Sequence, residues 1–258
     1  MKKLIFLSAA LLLFAVIGYS AYQLREIGQN NAQEAGMHNW LLQYHPRSQA
    51  VAEASGEGFP EASDDDPPAL QVVNQSIVDL QAERPSVVGW LTIPNTRIDY
   101  PFTQGVDNAQ YLHLDLNDRW SASGTVFMDF RNNKDLTDFN TILYGHHMRS
   151  GSMFGTLQQF DNQSFFDNNK TGTIFLANAT YEIEFIAFAV IPPSDSGIYH
   201  PTIETEAERS AFLDHVTDVA RHYRDVGVTV EDRIITLSTC NYEFHNARMV
   251  LIGRLVEV

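Results

Sequence analysis

The sequence predicts a mainly β protein: a closed or nearly closed barrel of about eight strands, with helices ahead of it and one long helix before the last strand pair. Three observations carry this. Short runs rich in Val, Ile, Phe, Tyr and Thr, bounded by Gly, Pro, Asn or Asp, recur from Val87 to the end of the chain. One of them, Tyr181-Glu-Ile-Glu-Phe-Ile, alternates as a half-buried strand does. A single strong helix signal interrupts the series: Thr205-Glu-Ala-Glu208 is a capping box, Phe212, Val216, Val219 and Tyr223 then fall on one face, and Gly227 follows as the stop.

The chain opens with Lys2 and Lys3, followed by an uncharged run from Leu4 to Tyr22 that ends at Arg25 and Glu26. That length suits a bilayer-spanning helix. The lysines ahead of it put the N-terminus on the cytoplasmic side and the body outside. A cleaved signal peptide is the rival reading, since Gly18-Tyr-Ser20 offers small residues. Residues 1–27 are therefore read as an N-terminal membrane anchor. Residues 28–69 read as an extracytoplasmic stalk, with a short helix hinted at Trp40-Leu41-Leu42. Between Gly56 and Pro68 acidic residues and prolines leave little to bury. Residues 70–258 are the folded body.

Within the body, Val72, Val73, Ile77 and Leu80 recur at helical spacing until Pro85. Strands follow at 88–93, 98–100, 125–130, 141–144, 173–178 and 181–191, and the final pair at 234–237 and 249–256, where Gly253 suggests a kink.

The formal net charge is −15, which argues against nucleic acid as a partner. The chain has one cysteine, so it forms no intramolecular disulfide. In an exported protein a lone Cys is a reactive thiol, an intermolecular link or a buried structural residue. Cys240 lies at the end of one strand and Arg248 at the start of the next, so thiol and guanidinium meet if the two strands are neighbours. His146 and His147 lie at the end of another strand, in Tyr144-Gly145-His146-His147. A strand-end imidazole near a strand-end thiol is what nucleophilic sulfur chemistry needs, because the thiolate is the reactive species. Two surface histidines in a turn and an edge-strand Arg are the plain alternatives. Zinc held by Cys240, His245, His146 and His147 is a further one, without C-x-x-C or H-E-x-x-H spacing to support it. A papain-type protease lacks its local Cys motif here, and His precedes Cys.

At these residues the chain resembles the sortases. Thr236-Leu-Ser-Thr-Cys240, with an Arg eight residues on, resembles their active-site signature, and Asn241-Tyr-Glu-Phe244 is similar to class B. Val88-Gly-Trp-Leu-Thr-Ile-Pro-Asn-Thr-Arg-Ile-Asp-Tyr-Pro101 and Gly124-Thr-Val-Phe-Met-Asp-Phe-Arg-Asn132 also resemble family segments, so the likeness runs from about Leu70 to the end. It implies a sortase barrel and a cysteine transpeptidase in which Cys240, His146 and Arg248 are catalytic, with Ser238, Thr239 and Tyr242 at the substrate. It implies no cofactor and no metal. The implied partners are surface proteins with a C-terminal sorting motif and a peptidoglycan-precursor or pilin amine. The other histidines, His113, His200, His215 and His222 among them, read as surface or structural. A membrane-tethered β-barrel binding module with a degenerate site is the alternative from another class.

Overall fold

The computed structural model describes residues 2–46, 73–240 and 247–258. The chain divides into two compact units, Met1–His45 and Pro46–Val258.

In the first unit helix α1 spans Lys2–Leu41, and a 3-10 turn follows at Leu42–Tyr44. The helix does not stop near Arg25. Residues 26–41 hold no proline, and the first proline beyond the helix is Pro46, so Gly28 and Gly36 weaken the helix without ending it. The expected short helix at Trp40 is its last turn. Leu12, Leu13, Phe14 and Leu24 on α1 are all more than 60% exposed. Among the described residues no helix is long and apolar enough to cross a membrane. The side chains of residues 1–11, which hold much of the apolar run, lie outside the description, as does the whole acidic segment 56–68.

In the second unit α2 (Gln75–Glu83) buries Ile77 and Leu80 and ends before Pro85. The strands are β1 (Val87–Thr92), β2 (Asp99–Gln104), β3 (Val126–Met128), β4 (Asn140–His146), β5 (Thr171–Leu176), β6 (Thr180–Ile191), β7 (Ala220–Tyr223), β8 (Arg233–Cys240) and β9 (Arg248–Glu257). They form one sheet ordered β5-β1-β2-β3-β4-β8-β9-β6-β7, and β5 pairs β6 as well. The first eight in that order close into a barrel, with β7 added outside β6. Closure leaves few free edges. Among the described strand pairs only β2–β3 and β4–β8 are parallel.

Two cores flank the sheet. The barrel interior holds Leu91, Phe102, Met128, Leu143, Phe185, Leu237 and Leu251. The second core lies between the outer face of β4, β8, β9 and β6 and the helix α4 (Glu206–Val219). It includes Phe139, Ile234, Val250 and Ile252 with Phe212 and Val216 of the helix. The Phe139 and Phe212 rings meet edge to face at 5.7 Å.

The capping box forms as read. Thr205 Oγ1 accepts from the Glu208 amide at 3.3 Å, and Glu208 Oε2 accepts from the Thr205 amide at 3.0 Å. The helix stops sooner than its apolar spacing suggests. Ala220 is already extended, with ψ 129°, and Tyr223 belongs to β7, not to the helix face. Gly227 has φ +70° in the later loop and caps nothing. β7 escapes sequence reading because four half-exposed residues are too few to show alternation. A second short helix, α3 (Gln163–Asn168), capped by Asn162, was also invisible to periodicity. β2 runs on past Tyr100 through Pro101. The β2–β3 pairs start at Phe102, so the missing amide of Pro101 removes nothing from that ladder. In the β6–β9 pairing the irregularity sits on β6, between Phe185 and Ala187, opposite Gly253 and Ile252. A Cβ on Gly253 would meet Ile183 at 2.4 Å.

Candidate active site

Strand topology assembles the site. β4 and β8 run parallel in register over seven rungs, from Asn140 opposite Ile234 to His146 opposite Cys240. Adjacent strands lie about 4.8 Å apart, so the backbone carries residues 146 and 240 side by side at one end of the barrel. β9 runs antiparallel to β8, paired up to Ser238 opposite Val250. Its first residue, Arg248, therefore begins at the same end. Arg248 Nη1 donates to the Thr239 carbonyl at 3.2 Å, and the Met249 amide donates to Thr239 Oγ1 at 3.0 Å. The three residues singled out in the sequence thus come from three neighbouring strands. Residues 241–246, with Tyr242, lie outside the described residues.

Local packing explains the sequence around His146. Gly145 faces the barrel interior, where a Cβ would touch the Phe154 ring at 2.7 Å. His146 is half-buried; its Nε2 lies 2.8 Å from the Leu112 carbonyl, and its ring stacks on His113 with centroids 5.4 Å apart. His147 is on the other side of the strand. It is 8% exposed, its Nε2 is 3.1 Å from Gln158 Oε1, and it bridges Met153. The structure brings His146, not His147, to Cys240.

Ser238 and Thr239 have separate surroundings. Ser238 is 1% exposed, with Oγ 2.8 Å from the Tyr199 hydroxyl. Thr239 is fully buried and braces the start of β9, so its side chain holds Arg248's strand in place rather than opening to the surface.

Sequence reading passed over two groups. Tyr199 stands on the loop between β6 and α4, which leaves the sheet beside Arg248, the partner of Ile191. It stacks on Tyr144 at 6.3 Å. The loop is tied down by Asn140 Nδ2 donating to the carbonyls of Ile198 and His200, and by His215 Nε2 against Asp195 at 2.9 Å. No periodicity marks such a loop. The second group centres on Asp129, whose carboxylate is fully buried. It accepts from Arg131 Nε and Nη2 at 2.8 Å, from Asn108 Nδ2 at 2.9 Å and from the Tyr144 hydroxyl at 3.1 Å. Burial alone would raise its pKa; the Arg131 and Asn108 hydrogen bonds outweigh that and hold it below the usual carboxylate range. Asp129 and Arg131 stand in the segment Gly124–Asn132, where the sequence carried a signal but no role. Among the described residues no cluster of three or more His, Cys, Asp or Glu could hold a metal ion.

A closed eight-stranded barrel that sets a Cys and a His side by side at the ends of parallel neighbouring strands is a scaffold suited to cysteine chemistry. The chain matches the Sortase domain over residues 91–256, and it belongs to the sortase family. It is 39% identical to sortase B of Listeria monocytogenes over 190 residues, covering 71% of this chain and 75% of that one. It is 34% identical to sortase B of Staphylococcus aureus over 174 residues, 67% and 71% of the two chains. Among solved structures, a Staphylococcus aureus sortase B–substrate complex superposes with a TM-score of 0.68 at 32% identity, covering 72% of this chain and 87% of that one. Sortase B of Bacillus anthracis gives 0.67 at 31% identity, with 72% and 86% covered. The sequence expectation of a class B sortase barrel and a sortase-type cysteine transpeptidase holds.

Proposed function

We propose that this sortase cleaves a C-terminal sorting motif of surface proteins and transfers the acyl part to an amine of the cell wall or of a pilin, with Cys240, His146 and Arg248 as the reacting groups. The Cys240 thiolate attacks the carbonyl carbon of the scissile peptide bond. The carbonyl electrons move to oxygen, and the Arg248 guanidinium meets that charge. The C–N bond then breaks, and the leaving amine takes a proton from the His146 imidazolium. An acceptor amine attacks the resulting thioester, gives a proton back to His146 and expels the thiolate. Atoms and charge balance, and no cofactor enters. The observation that carries this reading is the β4–β8 register, His146 opposite Cys240, with Arg248 bonded to the residue beside Cys240.

Ser238, next to Tyr199, and Tyr242 belong to the substrate side of this reading. Thr239 belongs to its support. The domain division follows the sequence: anchor 1–27, stalk 28–69, catalytic body 70–258. The anchor is a single pass at the cell membrane, with the N-terminus cytoplasmic and the body outside. It is supported by the uncharged run Leu4–Tyr22 and by the exposed apolar side chains Leu12, Leu13, Phe14, Val16 and Ile17.

A library of sorting-motif peptides incubated with the enzyme, followed by mass spectrometry of the intact protein, tests the chemistry. A thioacyl adduct on Cys240 that disappears on adding an amine is expected. Peptide turnover by Cys240→Ala at the parent rate would overturn it.

A further inference from the structure

The imidazole of His146 is clasped by two consecutive residues of the segment joining β2 to β3. Its Nε2 lies 2.8 Å from the backbone oxygen of Leu112. A carbonyl oxygen only accepts, so Nε2 must carry the hydrogen. The ring of His113 lies against the same imidazole at 5.4 Å and 29°, an offset stack.

The segment that presents these groups is built to hold them still. The Thr125 amide donates to the Tyr111 carbonyl at 3.0 Å and the Ser121 amide to the His113 carbonyl at 2.9 Å. Asp115 Oδ1 closes the turn beyond by accepting from the amides of Asn117 and Arg119. Asn108, at the near end, joins the buried Asp129 carboxylate, which also holds the Tyr144 hydroxyl on the strand of His146. Gly124 fits this purpose. It has φ +57°, and a Cβ there would stand 2.3 Å from the Leu112 oxygen, the atom that accepts the His146 hydrogen bond.

We infer that Leu112 and His113 keep Nε2 of His146 protonated in both of its charge states, so that Nδ1 is the nitrogen that exchanges protons during the reaction, and that His113 is a positioning residue. A histidine donating one N–H to a fixed backbone carbonyl has its tautomer and ring plane set by that bond. The neutral form then offers its lone pair at Nδ1 alone, and the cation gives up its proton only there. Losing the stack loosens the plane of the ring, which slows proton transfer more than it weakens substrate binding. The inference rests on His146 being the proton donor of the proposed reaction.

The test is nitrogen-15 NMR of histidine-labelled full-length protein in detergent, with the His146 signals assigned by loss in His146→Gln. Nε2 is expected to stay protonated across the titration while Nδ1 alone changes. A neutral form protonated at Nδ1 would overturn the clasp, whatever the activity. Kinetics supply the second arm. His113→Ala is expected to lower kcat by about tenfold with KM within about twofold, and His113→Phe, which keeps a stacking ring, to recover to within about threefold of the parent. Gly124→Ala should shift the His146 signals in the same direction as His113→Ala. Unchanged kcat and unchanged nitrogen signals in His113→Ala would remove His113 from the mechanism. Full activity in His146→Gln would sink the proposed role of His146 and leave the tautomer result standing.

Discussion

Arg248 donates from Nη1 to the carbonyl of Thr239, at 3.2 Å, the residue just before Cys240. One arm of the guanidinium is thereby fixed to the strand that carries the thiol. That bond sets the plane of the guanidinium, as the mobility of a long side chain would not. Lysine keeps the charge but has no second, coplanar set of donors. Arg248→Lys and Arg248→Ala should therefore each lose at least about a hundredfold in kcat/KM, the typical cost of one oxyanion donor. Circular dichroism should show both folded. A folded Arg248→Lys variant within about tenfold of the parent would reduce Arg248 to a charge or a structural residue.

The two neighbouring histidines should separate by kind of defect. His146 is opposite Cys240 on the paired strand. His147 points to the other side, 8% exposed and against Gln158. His146→Ala is expected to abolish turnover with the melting temperature nearly unchanged. His147→Ala should lower stability by about 1–3 kcal/mol, the cost of a lost buried side chain and bond, with modest loss of rate. Thermal melts beside single-turnover assays decide it, and the reverse pattern would mean the wrong imidazole has been assigned.

Tyr199 should act on binding. Its hydroxyl meets Ser238 Oγ at 2.8 Å, and its ring stacks on Tyr144. Tyr199→Phe removes only the hydroxyl. A neutral hydrogen bond is worth about 1 kcal/mol, so KM for a motif peptide should rise about fivefold with kcat within about twofold. A change in kcat with KM constant would place Tyr199 in the chemical step.

How far the sequence revealed the fold depends on how far each signal is local. The capping box at Thr205 and Glu208, the alternation of β6 and the strand pair around Cys240 are set by neighbours a few residues apart, and they form as read. Strand ends alone left Cys240, His146 and Arg248 open to plainer readings, and it was the resemblance to sortase motifs that named them as a set. What stayed hidden is fixed across the chain. Asp129 gains its meaning only when Asn108, Arg131 and Tyr144 converge on it. Tyr199 is defined by a loop folded back over β8. Leu112 contributes through a backbone oxygen, which no side-chain pattern reports. The continuation of α1 to Leu41 was missed for the opposite reason: polar residues that need no burial still form helix when nothing breaks it.

The buried Asp129 hub should give the fold an acid limit. In the folded state its carboxyl lies below its ordinary value of 3.8: burial pushes it up, and Arg131 and Asn108 more than reverse that. A depressed folded pKa means the charged form is favoured by folding. Its contribution is then fully present above the unfolded value and is lost as pH falls through the folded one. Asp129→Asn keeps the shape but not the charge or the acceptor pair, and it leaves Arg131 without its counter-ion. Arg131's side chain is 43% exposed, so part of that loss is screened by water. Charge-assisted bonds of this kind are worth about 1.5–3 kcal/mol, and the variant should be less stable by about that amount at pH 7 by urea unfolding. The gap should hold down to about pH 5 and shrink steadily below the ordinary carboxylate range, as the parent's carboxyl takes up a proton. A gap as wide at pH 3 as at pH 7 would mean that Asp129 holds Tyr144 and Asn108 by packing and shape, with its charge contributing nothing.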